Sequence, residues 1–301
     1  MKILITGGAG FIGSHLALYL KQEGYEVIVF DNFERSIKNA KTILNGIRIE
    51  KLDLRKDLRK LVKHAKKSVI IHAAAYISAK ESINKPLEYL DNNVASTINL
   101  LKATSKIAKK IIYLSSAAVY GNPEYLPIDE EHKLNPINPY GASKLSSEYY
   151  VKAYHNLYGV DYVILRLFNV YGEWQKGEYA GVISKFINKA KKKKPLIIYG
   201  DGLQTRDFVY IEDVAKAVKL AIETSDSKGI YNIGFGKPTT INQLAEIIMK
   251  AFSIDEKPIH LPERKGDIKH SYANISKAVK LLGYKPEIDL KKGIEKIIHK
   301  E

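Results

Sequence analysis

The sequence has no cysteine, only 2 methionines and only 1 tryptophan. Without cysteine there are no disulfides and no thiolate metal ligands. The 8 histidines (His15, His64, His72, His132, His155, His260, His270 and His299) show no paired spacing of the H-x-x-x-H kind, so no metal is expected. Long apolar runs are missing too. The longest weakly polar stretch, "SVIIHAAAYISA" at 68–79, falls short of the roughly 20 residues that span a bilayer. Nor does the N-terminus carry a basic segment leading into an apolar stretch and a cleavage site. These absences predict a soluble, cytoplasmic protein with no membrane partner.

Acidic residues are scarce: 33 Asp and Glu stand against 48 Lys and Arg, a formal charge of +15. Such an excess could neutralise nucleic-acid phosphates. The lysines, however, are spread along most of the chain. Their one dense run, Lys191–Lys194, closes a helical segment where cations meet the negative end of the helix dipole. No nucleic-acid module signature appears, so no nucleic-acid partner is expected.

With 301 residues, 45% of them apolar, the chain can bury a large core in one α/β domain or two lobes. "KILITG" reads as a buried strand, "SHLALYLKQEGY" as a helix ended by Gly24, and "EVIVFD" as a second strand closed by Asp31. Gly7, Gly10 and Gly13 therefore occupy a strand-to-helix turn. There Gly7 permits the tight turn, Gly10 lets the backbone approach a pyrophosphate, and Gly13 lets helix and strand pack closely. The helix N-terminus stabilises the anion. Asp31, about twenty residues on, can accept hydrogen bonds from both ribose hydroxyls and would repel a 2′-phosphate, which favours NAD over NADP. The alternative is an ordinary turn followed by an unrelated acid.

Strand-like runs continue in "IRIEKLDL", "SVIIHAAA", "KIIYLSS", "DYVILRLFN" and "GIYNIG", separated by helical segments such as "DNNVASTINLLKATSKI" and "PYGASKLSSEYYVKAYHNLYG". The alternation predicts an α/β fold, a doubly wound parallel (Rossmann) sheet. After about residue 169 the rhythm breaks into Gly- and Pro-containing loops with short helices. The expected division is a NAD-binding domain of residues 1–168 and about 203–235, and a smaller substrate-binding lobe of about 169–202 and 236–301.

"YGASK" places Tyr140 and Lys144 at i and i+4, on one helix face. A phenol titrates near ~10 and is a poor base at neutral pH. A neighbouring ammonium and an oxidised nicotinamide both favour its ionised form. Ser116, 24 residues earlier at a strand end, would donate to the substrate oxygen. Alone, in a chain with 20 tyrosines, a Tyr-x-x-x-Lys pair reads better as an exposed amphipathic helix pair; with the glycine turn and Ser116 it reads as a catalytic group.

These motifs, with "TGGAGFIGSHL", "ESINKPLEYLDNNV", "SSAAVYG", "NPYGASKLSSE", "RLFNVYG", "YAGVI", "YGDGLQTRDFVYIEDV", "YNIG" and "ERKGDIKHSYANISKA", resemble the extended short-chain dehydrogenase/reductases over nearly the whole length. Within them the chain is most like the NAD-dependent sugar-nucleotide epimerases acting on UDP-glucose. The resemblance implies Phe11 and Ile12 beside the pyrophosphate, Asp31 and Asn32 at the adenosine ribose, and Asp53 and Leu54 at the adenine. Ala73, Ala74 and Asn92 would line the cofactor, with Phe168 near the nicotinamide. Asn169, Arg206 and Arg264 would hold the nucleotide diphosphate, Asp267 the uridine ribose, and Ser271 would flank the sugar C2 substituent. Arg206 could instead pair with Asp207 or Asp213, and Asp267 could cap a turn.

Three positions depart from the family pattern: "GEWQKGEY" replaces a Gly-Pro-Arg-Gln-like stretch, Ile77 stands where a cofactor-contacting Lys is frequent, and Ser184 replaces a frequent Pro. The expected activity is UDP-glucose/UDP-galactose 4-epimerisation in galactose metabolism by a homodimer, extending to UDP-N-acetylhexosamines. The alternatives are a sugar-nucleotide dehydratase or decarboxylase, and a cofactor-sensing protein without chemistry. Dehydratases of this family carry an acid and base pair directly after the strand-end Ser or Thr, and decarboxylases usually carry a Glu at the second of those positions. Here Ala117 and Ala118 stand there.

Overall fold

The computed structural model describes residues 1–175, 181–264 and 266–300. Six strands, β1 (Lys2–Thr6), β2 (Glu26–Asp31), β3 (Arg48–Lys51), β4 (Val69–His72), β5 (Lys110–Ser116) and β6 (Asp161–Leu167), join a later strand, Gly229–Ile233, in one sheet. Its order is Gly229–Ile233, β6, β5, β4, β1, β2, β3, and every pairing is parallel. The chain is a doubly wound Rossmann-type α/β protein. Both sheet faces are covered, so the central strands read as nearly unbroken apolar runs. Successive residues of β1 serve opposite cores: Ile3 and Ile5 pack on one face with Leu16 and Leu20 of helix Phe11–Gln22. Leu4 packs on the other with Leu61 and Leu100.

The strand order reverses between β1 and β4, so the loops leaving these neighbours run to opposite sides and open a crevice at the C-terminal edge. Beyond β6 the elements are short. Asn169–Tyr171 pairs with Phe208–Tyr210, Thr205–Arg206 with Thr239–Thr240, and Ile197–Tyr199 with Ile259–Leu261. They are interleaved with helices Val182–Lys191, Ile241–Ala251 and Ser276–Leu282. No helix among the described residues is long and apolar enough to cross a membrane.

One expected helix differs in detail. The segment is α-helical at Pro86–Tyr89, widens to a π-helix at Leu90–Ala95 and returns to an α-helix at Ser96–Thr104. Side-chain hydroxyls intrude on its carbonyls: Ser96 donates to Asn92, and Thr97 and Ser147 both donate to Asn93. Such local hydroxyl bonds loosen the regular ladder, and π segments recur at functional sites. This one carries Asn92 to the crevice.

Candidate active site

The crevice is an open cleft lined by the loops that follow β1, β2, β3 and β4. Gly7 turns with φ +69°, and a Cβ there would sit 2.6 Å from the Ala74 backbone; at Gly13 it would sit 2.2 Å from the Gly7 carbonyl. Glycine at both lets β1, the β4 loop and helix Phe11–Gln22 converge. Gly10 caps that helix in extended conformation without a side chain, so the helix N-terminus faces the cleft bare, as an anion cradle. Asp31 forms the floor. Only 8% exposed, it accepts from the N–H of Ala9 (2.9 Å) and of Phe33 (2.7 Å). Burial pushes its pKa up, and the two N–H groups oppose that. One carboxylate thus shapes the glycine turn and lines the cleft.

Of the residues expected at a cofactor, the structure gathers Gly7, Gly10, Asp31, Asn32, Asp53, Leu54, Ala73, Ala74 and Asn92 around this one cleft. Asp53 is gripped by Arg55, whose Nε and Nη2 reach its two oxygens at 2.9 and 2.7 Å, so its pKa is lowered. Phe11, Ile12 and Gly13 lie on the adjoining helix, Phe11 edge-on to His15. Phe168 is buried in a small apolar cluster with Val119, Tyr120, Ile128 and Ala273, against which Ala117 packs.

Ser116 ends β5 and Tyr140 opens the helix Pro139–Tyr158, which Asn138 caps by accepting from the Gly141 N–H at 2.9 Å. Gly141 permits close docking here: a Cβ would meet the Ala118 carbonyl at 2.6 Å. The Ser116 hydroxyl accepts from the Ala118 N–H at 3.2 Å, where the helix start docks. Burial raises the Tyr140 pKa and the Ser116 hydroxyl pulls it back. Lys144, 4% exposed, donates to the Leu114 carbonyl and lies 4.5 Å from the Tyr113 ring centroid. Burial pulls its pKa down to about 7, and Glu148 one turn further on opposes this. His72, behind it, is held neutral by burial and then by Lys144, with a pKa of about 3.

In the second part, Arg264 and Asp267 line another cleft with Tyr199, Gln204 and Lys269. The Arg264 guanidinium lies 3.5 Å over the Tyr199 ring. Arg206 pairs with neither Asp207 nor Asp213. Asp207 accepts from the N–H groups of Phe235, Gly236 and Ala273, which oppose the burial that lifts its pKa to about 6. Asp213 accepts from Glu287 and Ile288. Arg206 instead donates to the carbonyls of Thr205 (2.8 Å) and Lys269 (3.3 Å). Burial lowers its pKa while Asp267 opposes, which leaves a half-buried cation aimed at the Asp267 loop. Asn169 hydrogen-bonds the Asp207 carbonyl through Nδ2 at 3.1 Å. Ser271 is buried at 9% exposure and its backbone N–H donates to the Thr205 carbonyl. Residues 176–180 of the "GEWQKGEY" loop lie outside the described residues.

Several cleft residues were beyond local sequence reasoning: Glu34, Arg35, Tyr76 and Ser96 line it. Asn93 ties the Tyr76 backbone to Ser143. A dinucleotide cleft and a Tyr-Lys-Ser group share one edge of a parallel sheet, which defines a dinucleotide-dependent enzyme of alcohol or carbonyl chemistry.

The chain belongs to the NAD dependent epimerase/dehydratase family, whose model matches residues 3–234. A putative UDP-glucose 4-epimerase of Methanocaldococcus jannaschii is 46% identical over 302 residues, covering 99% of this chain and 97% of that one. Two solved structures superpose closely. The UDP-glucose 4-epimerase of Thermotoga maritima with UDP-glucose has TM-score 0.93 at 35% identity, covering 99% and 98% of the two chains. The UDP-N-acetylglucosamine 4-epimerase of Methanobrevibacter ruminantium, in complex with UDP-N-acetylmuramic acid, has TM-score 0.91 at 38% identity, covering 100% and 99%. The cofactor of the family is NAD, and the glycine cradle and Asp31 fit it.

Proposed function

We propose that this protein is a UDP-hexose 4-epimerase acting on UDP-glucose and UDP-galactose. The observation that carries the reading is the convergence of the strand-end Ser116 with the start of the helix that bears Tyr140 and the buried Lys144, Ser116 being followed by Ala117 and Ala118. Ser116 orients the sugar O4 and Tyr140 takes its proton as C4 is oxidised, then returns it. Lys144, one turn on along the same helix, favours the phenolate in its charged form. The glycine turn, Asp31, Asn32, Asp53 and Asn92 would hold NAD, which would supply a reversible hydride acceptor for C4 with no net consumption. Arg206, Arg264, Asn169 and Asp267 hold the UDP, since planar guanidinium forks suit a diphosphate. The sugar itself must be free to turn over between the two hydride transfers. Two alanines after Ser116 offer no acid or base for elimination, which argues against the dehydratase alternative. NMR and mass spectrometry of the product decide: the C4 epimer at unchanged mass supports epimerisation, and loss of water or carbon dioxide refutes it.

The reading extends to UDP-N-acetylhexosamines through Ser271. Its side chain is small, whereas a Tyr there would fill the space beside C2, and packed side chains yield little to a clashing group. Ser271→Tyr should abolish N-acetylhexosamine turnover selectively, measured as kcat/KM for both substrate classes. A wild type inert toward UDP-N-acetylglucosamine refutes the extension.

A homodimer is also part of the reading. Helix Pro139–Tyr158 packs with its neighbours Ala79–Asn84, Pro86–Tyr89 and Ser96–Thr104. This layer presents Ile83, Leu87, Tyr149 and Leu157 to solvent at 56–76% exposure, an apolar face of the kind that pairs subunits. Light scattering should give twice 33.9 kDa; the single-chain mass alone would contradict the dimer.

A further inference from the structure

The rim of the cofactor cleft is joined by side chains from three different loops. Glu34, after β2, accepts from the Tyr76 hydroxyl (2.7 Å), after β4, and from Arg55 Nη2 (2.7 Å), after β3. Arg35 reaches across to Glu81 with two nitrogens at 2.7 and 3.0 Å and lays its guanidinium 3.4 Å over the Tyr76 ring. Asp31 at the floor is 8% exposed, whereas the Glu34 side chain is 42% exposed. The bonds therefore run over the cleft rather than within it.

Their supports are rigid. The Tyr76 backbone is held on both sides by Asn93, through its N–H (2.7 Å) and its carbonyl (3.0 Å). Glu81 begins a helix capped by Ser78 and also accepts from the Tyr89 hydroxyl. Only the side-chain tips of Tyr76, Glu34, Arg35 and Arg55 need swing for the rim to open.

We propose that Glu34, Arg35, Arg55, Tyr76 and Glu81 form an ionic latch over the adenosine end of the cleft that retains NAD between turnovers. The proposal rests on the reading of this cleft as the cofactor site. A reaction that removes a hydride and restores it to the same sugar gains nothing from cofactor exchange, and loss of the cofactor midway would strand the oxidised sugar. Single exposed ion pairs contribute little, but this set shares Glu34 and Tyr76 as common members, so opening requires several contacts to break together.

The test is the dissociation rate of NAD, read by chasing radiolabelled NAD from the loaded enzyme with unlabelled NAD. Glu34→Gln should release it about tenfold faster, equivalent to 1.4 kcal/mol. Tyr76→Phe, which removes one hydroxyl and little else, should also release it faster, and by less. Raising salt to about 0.5 M should speed the wild type toward the Glu34→Gln rate, since screening weakens exposed ion pairs. Lys133→Gln, which breaks the exposed pair with Glu124, serves as control and should leave the rate unchanged. Asp31→Ala, measured alongside, reports on the cleft itself. Weaker NAD binding in Asp31→Ala with wild-type release from both latch variants overturns the latch alone. Unchanged NAD binding in Asp31→Ala as well overturns the cleft assignment with it.

Discussion

Tyr140→Phe should lower kcat for UDP-galactose epimerisation by about 10²–10⁴-fold, the usual contribution of a positioned proton-transfer group, equivalent to about 3–5 kcal/mol of the barrier. The substitution removes one oxygen from a helix-borne ring and leaves the ring packed edge-on against Tyr89. Affinities for NAD and UDP should stay near wild type, because the cradle and the Arg206 region make no use of that hydroxyl. Steady-state kinetics with equilibrium binding of UDP separates the two effects. A rise in KM with kcat unchanged would assign Tyr140 to binding and remove it as the base.

Arg166→Met should cost about 3–5 kcal/mol of stability. Arg166 is 1% exposed and Glu148 2%; Nε and Nη2 of Arg166 reach the two Glu148 oxygens at 3.0 and 2.7 Å. Nη1 donates to the Tyr120 hydroxyl (3.0 Å), which donates on to Asn232 (2.6 Å), and Ser115 donates to Glu148. The network binds β5, β6, strand Gly229–Ile233 and the helix of Tyr140 and Lys144 together. Removing the cation alone leaves a carboxylate buried without its counter-ion, which is the expensive case. The double variant Glu148→Leu with Arg166→Met should recover most of the loss, since a packed apolar pair can replace a buried ion pair. Denaturant unfolding of the three proteins checks this, and a single variant costing under about 1 kcal/mol would show the pair to be solvated.

What the sequence made legible was what lies close together along it. The glycine turn, its helix and Asp31 fall within the first 31 residues, so spacing alone carried the first βαβ unit, and Tyr140 and Lys144 share a helix face through simple periodicity. The parallel sheet followed from alternation. The latch was invisible because its members come from positions 34, 35, 55, 76 and 81 and meet only when three crossovers fold back. Glu148 and Arg166 likewise belong to different elements, and nothing local marks either as buried. The π-helix at Leu90–Ala95 escaped for another reason: it arises from hydroxyls of Ser96, Thr97 and Ser147 taking backbone carbonyls, one of them from a distant helix. Arg206 shows the same limit. Its acidic sequence neighbour Asp207 points the other way, into three backbone N–H groups.

The most direct measurement is to incubate the purified protein with UDP-galactose, without added NAD, and follow the sugar by NMR. The account predicts conversion to an equilibrium mixture of UDP-galactose and UDP-glucose, with the nucleotide intact and no cofactor consumed. UDP-galactose recovered unchanged, from protein shown to hold NAD, would contradict it.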